Sequence, residues 1–247
     1  MKRVRKQVEI DGGVVRRPLS SWSPAVHGLL RHLEELGFAG VPRLVGVEGS
    51  REVVTWVPGD VGHYPLNERR WSDDALVQSA RFLRSFHDLT ASYRLEGARW
   101  RFVYPDSGAH EVICHNDFAP YNMTYKDDVP VGLIDFDTAG PGPRIWDVAY
   151  AVYRFVPLVD ETDARAVGMT HPRPSQRLEL FCDAYGLDER EDLIGTVVRR
   201  LEALCDHMKR EADAGNEVHR SHIALGDLDL YRRHISLLND PHRLGIQ

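Results

Sequence analysis

The sequence predicts an α+β fold, and three observations carry that reading. β-prone runs crowd the first 58 residues around one helical pattern. A second group of short strands falls between residues 112 and 134, and most of the chain after Ser72, outside that group, has helical periodicity. With 247 residues, 43% hydrophobic and 28% charged, the chain can bury a real core in one or two domains, and disorder is not expected.

In order, residues 4–17 read as a hairpin: Val4–Ile10, the turn Asp11-Gly12-Gly13, then Val14-Val15-Arg16-Arg17. Ser23 as N-cap and Pro24 at the first helical position start a helix whose Val26, Leu29, Leu30, Leu33 and Leu36 share a face, and Gly37 closes it. Residues 42–47 and 52–57 are two more strands, ending at Pro58-Gly59. Ser72 caps the next helix, with Asp73 and Asp74 in its favourable first turn and His87 near its end as a core group. Residues 145–156 form an aromatic helix stopped by Pro157. Helical patterns then run from Ser175 to Asn239, punctuated at Gly186, Gly215 and Gly226.

Charge and composition exclude several classes. A net charge of −6 argues against a nucleic-acid-binding face. Lys2, Arg3, Arg5 and Lys6 are not followed by an apolar run, so no signal peptide is read, and no stretch has the length of a membrane span. Cys114, Cys182 and Cys205 sit far apart in apolar patterns, as free thiols of a reducing cytoplasm would.

The most informative stretch is residues 112–150. Val112–Cys114 is a short buried strand that delivers His115-Asn116-Asp117 into a loop. Asn122 opens a second strand, Met123–Tyr125. Lys126–Pro130 reads as a five-residue turn, and Val131–Ile134 returns. If Tyr125 faces Val131, Asn122 lies beside Ile134 and Asp135 comes next at the same open end, so an amide oxygen and a carboxylate share one cation-sized space. Oxygen ligands of this kind suit Mg²⁺ beside nucleotide phosphates. Asp117 would then orient or deprotonate an acceptor hydroxyl.

The run HND-x4-N followed by IDFDTAGPG-x3-WD resembles the catalytic and metal-binding segments of the aminoglycoside phosphotransferase family, a branch of the protein-kinase-like fold. The resemblance implies two lobes: residues 1–58 as a nucleotide-binding lobe with a small antiparallel sheet and one helix, and 59–247 as a mainly helical catalytic and acceptor-binding lobe. It implies Asp117 as the catalytic base, Asn122 and Asp135 as Mg²⁺ ligands, and His115 and Asp147 as braces of the catalytic loop. A strand cation, Arg16 or Arg17 with Arg17 preferred, would meet the phosphates of ATP or GTP. The stretch around Thr55 and Val57 would be the hinge facing the base. The family's helix glutamate falls on His27, and the first strands and glycine-rich loop are expected to be missing. Glu202, Asp206, Asp213, Glu217, Asp227 and Asp229 give the last helices an acidic cast. The family uses such a cast for polycationic acceptors, although a solvated helical face explains it as well. A nucleotide-binding protein without catalysis, and a metallohydrolase using His115 and Asp117, are the competing readings.

Overall fold

The computed structural model describes residues 8–106 and 110–246. It places a four-stranded antiparallel sheet first: β1 (Glu9–Asp11), β2 (Val14–Pro18), β3 (Leu44–Glu48) and β4 (Arg51–Thr55), in the order β1-β2-β4-β3. The Asp-Gly hairpin is present in its described part. The stretch assigned from Val4 onward lies partly outside the described residues. Helix α1 (Ser23–Glu35) crosses the sheet. Its cap differs from expectation: Trp22 holds that place, while the Ser23 hydroxyl accepts from the Ser20 amide at 3.0 Å, one residue inside the helix.

The rest is mainly helical. Helix α2 (Asp73–Thr90), with the Ser72 hydroxyl accepting from the Ala75 amide, packs against α5 (Pro174–Tyr185). Helix α3 (Arg144–Phe155) packs on α6 (Leu193–Asp213), which also supports α7 (Glu217–Ala224) and α8 (Asp227–Leu238). Gly226, left-handed at φ 89°, divides α7 from α8 where the sequence marks a break. A short α4 (Glu161–Ala166), capped by Asp160, has no apolar period long enough to read.

Two small sheets complete the fold, both packed against α2. One orders β5 (Asp60–Val61), β7 (Met123–Lys126) and β8 (Val129–Leu133). The other pairs β6 (Val112–Cys114) with β9 (Gly140–Gly142). The hairpin turn is shorter than expected. Asp127 and Asp128, both with positive φ, make a two-residue turn, and Pro130 belongs to β8. That is tolerated because β8 is an edge strand. Tyr125 consequently faces Pro130 rather than Val131, with an irregularity between Thr124 and Tyr125 that restores the register. Asn122 still meets Ile134, whose amide donates to its carbonyl at 2.8 Å.

One apolar core spans both parts of the chain. Val26, Leu29, Leu30 and Leu33 of α1 join Leu76, Leu83 and Phe86 of α2, then Val148 and Val152 of α3. Burying such side chains is worth about 1.5–3 kcal/mol each, so the sheet and the helical part are joined by more than a linker. Gly132 permits their close approach, since a Cβ there would lie 2.5 Å from Val57 Cγ1 and 2.8 Å from the Gly40 carbonyl. All three cysteines are buried and free. Among the described residues no helix is long and apolar enough to cross a membrane.

Candidate active site

The loop after β6 is built around a buried carboxylate. Asp147, in the first turn of α3, accepts the His115 amide at 2.6 Å and the Asn116 amide at 2.8 Å. His87 Nε2 also reaches it, at 3.1 Å. The knot is dry: Asp147, His87 and His115 are each fully buried. Burial pushes the Asp147 carboxyl up, but the hydrogen bond and charge of the histidines outweigh it and hold the group below its usual range. Burial lowers the His87 pKa; its Nε2 donates to Asp147, and its Nδ1 lies 2.7 Å from the Tyr185 hydroxyl. His115 is committed on both nitrogens, donating from Nε2 to the Ile134 carbonyl and accepting the Asp117 amide at Nδ1. A transition-metal role for His115 has no free nitrogen to use. Among the described residues no cluster of three or more His, Cys, Asp or Glu is suited to a metal.

Within this frame Asn116 sits in the left-handed region at φ 63°. Arg200 of α6, itself buried over the rings of Phe102, Trp146 and Tyr150, donates to the Asn116 carbonyl at 2.5 Å. The Asp117 carboxylate accepts the Tyr121 hydroxyl at 2.6 Å and the Asn122 side-chain nitrogen at 2.8 Å. Burial raises the Asp117 pKa, and the Tyr121 hydrogen bond opposes that rise. A carboxylate displaced upward in this way is a better base than one in water.

Asn122 donates from its amide nitrogen to both the carboxylate and the carbonyl of Asp117, which leaves the amide oxygen as the atom able to hold a cation. Asp135 follows β8 with φ 63° and ψ 63°, a strained conformation for an aspartate. Both residues line one pocket of about 400 Å³, together with Val15, Arg17, Thr55 and Val57. An amide and a carboxylate oxygen fit a hard divalent cation that completes its shell with phosphates and water.

Neighbouring residues of β2 point opposite ways. Arg17 faces the pocket, and Arg16 turns outward to Glu48 at 3.0 Å. The sequence's second candidate for the strand cation is therefore excluded by the pleat. Arg17 is held where the helix glutamate was expected to be absent, and the structure supplies a substitute. Glu52, directly opposite Arg17 on β4, accepts its Nε at 2.6 Å. His27 of α1 donates to the other Glu52 oxygen at 2.5 Å. The carboxylate has moved from the helix to the adjacent strand, and the histidine fills the helix position. Burial raises the Glu52 carboxyl, but the His27 hydrogen bond and the Arg17 charge overcome it and keep it ionised. Arg17 also meets Asp137 at 2.9 Å and Asp135 at 3.4 Å. It therefore spans the strand and the cation-side carboxylates.

Thr55 and Val57 both border the pocket. The Thr55 side chain is spent on the Arg43 amide at 2.9 Å, and the Trp56 amide donates to the Gly13 carbonyl at 2.8 Å. The acidic residues of the last helices lie outside this arrangement. Glu202, Asp206, Asp213, Glu217 and Asp229 are exposed, and Asp227 pairs with His222 at 2.7 Å. They form a solvated face.

Glu52, Asp137, Tyr121 and Arg200 are site residues that sequence reasoning did not single out. Glu52 left a trace as one acid at the start of the apolar run REVVTW, and Asp137 as the second acid of IDFDTAGPG.

Several known proteins resemble this chain. The model of the phosphotransferase enzyme family matches residues 94–181, which include the loop after β6, Asn122, Asp135 and Asp147. The trifolitoxin immunity protein of Rhizobium leguminosarum bv. trifolii is 36% identical over 195 residues, covering 76% of this chain and 73% of that protein. Among solved structures, amicoumacin kinase with AMP-PNP, Ca²⁺ and its ligand aligns with a TM-score of 0.63 at 12% identity, covering 94% of this chain and 85% of that one. Plasmodium vivax ethanolamine kinase gives 0.59 at 10% identity, with coverages of 93% and 84%. An aminoglycoside phosphotransferase of Streptomyces rimosus with ADP and streptomycin gives 0.54 at 15%, with 78% and 87%. These structures show that the fold is the two-lobed, protein-kinase-like one.

Proposed function

The chain belongs to the phosphotransferase enzyme family, and we propose that it transfers the γ-phosphoryl group of a nucleotide, ATP or GTP, to a hydroxyl of a small molecule. The observation that carries this reading is the arrangement of Asp117, Asn122 and Asp135. A partly buried base stands on one side of the Asn122 amide, and the cation-facing oxygens open into the large pocket on the other.

Asp117 takes the proton of the acceptor hydroxyl as the acceptor oxygen bonds to phosphorus and the bridging bond to the nucleoside diphosphate breaks. Tyr121 now occupies that acceptor position on the carboxylate. Asn122 Oδ1 and Asp135 would hold Mg²⁺, which when bound offsets phosphate charge. Arg17, kept in place by Glu52, faces the phosphates, and Val57 faces the base. The solved relatives with AMP-PNP and Ca²⁺, or with ADP, support a nucleotide and a divalent cation here as well. The immunity protein among the relatives gives the chemistry a setting, because phosphorylating a hydroxyl can disarm a toxic compound.

Screening hydroxyl compounds with γ-labelled ATP and GTP tests the reading. Asp117→Ala should lose labelled product by a factor of about 10²–10⁴ while still binding nucleotide. Full turnover in that variant would remove Asp117 from the chemistry. Nucleotide binding without product from any acceptor would instead favour a ligand-binding member of the family without catalysis.

A further inference from the structure

A second cavity, of about 140 Å³, has a wall that includes Tyr64, Tyr153, Arg154, Asp163 and His234. Tyr121 touches two residues of that wall, Tyr64 and Arg154. Its ring borders the large pocket, the Tyr64 ring meets it edge-on at 5.7 Å between centroids, and the Arg154 guanidinium lies 5.5 Å above it.

Arg154 is set in aromatic rings. Besides Tyr121, its guanidinium lies 5.2 Å from the ring of Tyr150, 4.8 Å from Tyr153 and 5.6 Å from Tyr231. Its nitrogens donate to the Tyr150 hydroxyl at 3.0 and 3.1 Å and to the Tyr231 hydroxyl at 2.7 Å. Among the described residues no carboxylate forms an ion pair with it. The one carboxylate of this cavity, Asp163, is already answered by Arg233 at 2.6 Å and His234 at 2.8 Å. Phenol rings ease the loss of hydration but do not neutralise a guanidinium, which stays charged at any relevant pH. Among the described residues of the wall, Arg154 is thus the charge without a carboxylate ion pair, and Asp117 acts on it only at longer range.

That charge is wired to the base. An arginine can only donate and a carboxylate can only accept, so the two phenols between them are oriented. Arg154 donates to Tyr150, Tyr150 donates to Tyr121 at 2.9 Å, and Tyr121 donates to Asp117. An acceptor that reaches Asp117 must displace the Tyr121 hydroxyl from the end of this chain, beside Arg154.

We propose that this cavity seats the acceptor and that Arg154 selects one bearing an anionic group, a carboxylate or a phosphate, a few bonds from the reactive hydroxyl. The inference rests on the phosphotransferase reading above and assigns its substrate class. Guanidinium pairs with carboxylate and phosphate through paired, charge-assisted hydrogen bonds. A polyamine or aminoglycoside would instead bring like charge against it in a poorly hydrated site. The acidic residues that could have welcomed a polycation stand on the solvated face of the last helices.

The test is a fluorescence titration of the full chain with sn-glycerol 3-phosphate, D-glycerate, glycerol and streptomycin, in wild type, Arg154→Met and Arg154→Lys. At least one of the two anions should bind wild type ten or more times more tightly than glycerol or streptomycin. The ratio of the two anions then tells a phosphate seat from a carboxylate seat. Arg154→Met should erase the preference, and Arg154→Lys, which keeps the charge but not the paired geometry, should retain part of it. Streptomycin binding as tightly as the tighter anion, or an anion preference that survives in Arg154→Met, would overturn the proposal. Should the methionine variant fail to fold, the wild-type ranking and the lysine variant decide. The two readings fail separately. Anion preference with undiminished transfer in Asp117→Asn would remove the base and leave this site. Transfer to amine acceptors without anion preference would remove this site and leave the base.

Discussion

The loop after β6 and strand β2 each fix a charged group, and they do so from different kinds of parts. The loop is held by Asp147, which lies within 32 residues of both amides it accepts. The strand cation Arg17 is held by Glu52, 35 residues away, and Glu52 is in turn held by His27 of α1. In the first region the partners fall inside the one motif-bearing stretch, residues 112–150, and their spacing is readable. In the second the partner is chosen by strand register, and one carboxylate can serve from either the helix or the neighbouring strand.

Substitution at the loop should have the largest effect. Asp147→Ala strips a buried acceptor from two amides and His87. Removing one member of such a network costs about 3–5 kcal/mol, so denaturant unfolding should show the variant close to unfolded. A loss below about 1 kcal/mol would mean that the loop does not depend on Asp147.

At the strand the expected loss is smaller and falls on binding. Glu52→Gln removes the ionised partner that Arg17 has on the neighbouring strand, leaving Asp137 and Asp135, and charge-assisted bonds are worth about 1.5–3 kcal/mol. Nucleotide affinity should therefore fall roughly ten-fold or more. Adding His27→Glu should recover part of it by restoring a carboxylate from the helix. Unchanged affinity in Glu52→Gln would show that Arg17 needs no such support.

The smallest effect is a displacement of pH dependence. The Tyr121 hydroxyl donates to the ionised form of Asp117 and so favours it. Without that donor the carboxyl pKa rises, and the acid limb of the activity profile in Tyr121→Phe should move to higher pH. An acid limb that stays in place would mean that Tyr121 does not act on the base.

The same contrast explains how much was legible beforehand. Asp117, Asn122, Asp135 and Asp147 lie on one short stretch whose strands and turns constrain where each can point, and the structure brings all four to one site. The two-residue turn at Asp127-Asp128 is hidden because Pro130 reads as a turn residue, and its tolerance on an edge strand depends on which strand has no outer neighbour. Arg16 and Arg17 could be separated only by the pleat. Tyr150 and Arg154, four residues apart on α3, look like part of an apolar aromatic helix. Their connection to Asp117 exists only because Tyr121 reaches them from another element. Chain contiguity made residues readable, and tertiary register hid them.

Whether Asn122 and Asp135 form the cation side of a nucleotide site can be decided by thermal unfolding with Mg-ATP and Mg-GTP, in wild type and Asp135→Ala. At about 100 times the dissociation constant a bound nucleotide should stabilise the fold by roughly 2.7 kcal/mol. Wild type should then show a magnesium-dependent rise in Tm that vanishes in the variant. A folded wild-type protein with no shift, or an equal shift in Asp135→Ala, would contradict the assignment.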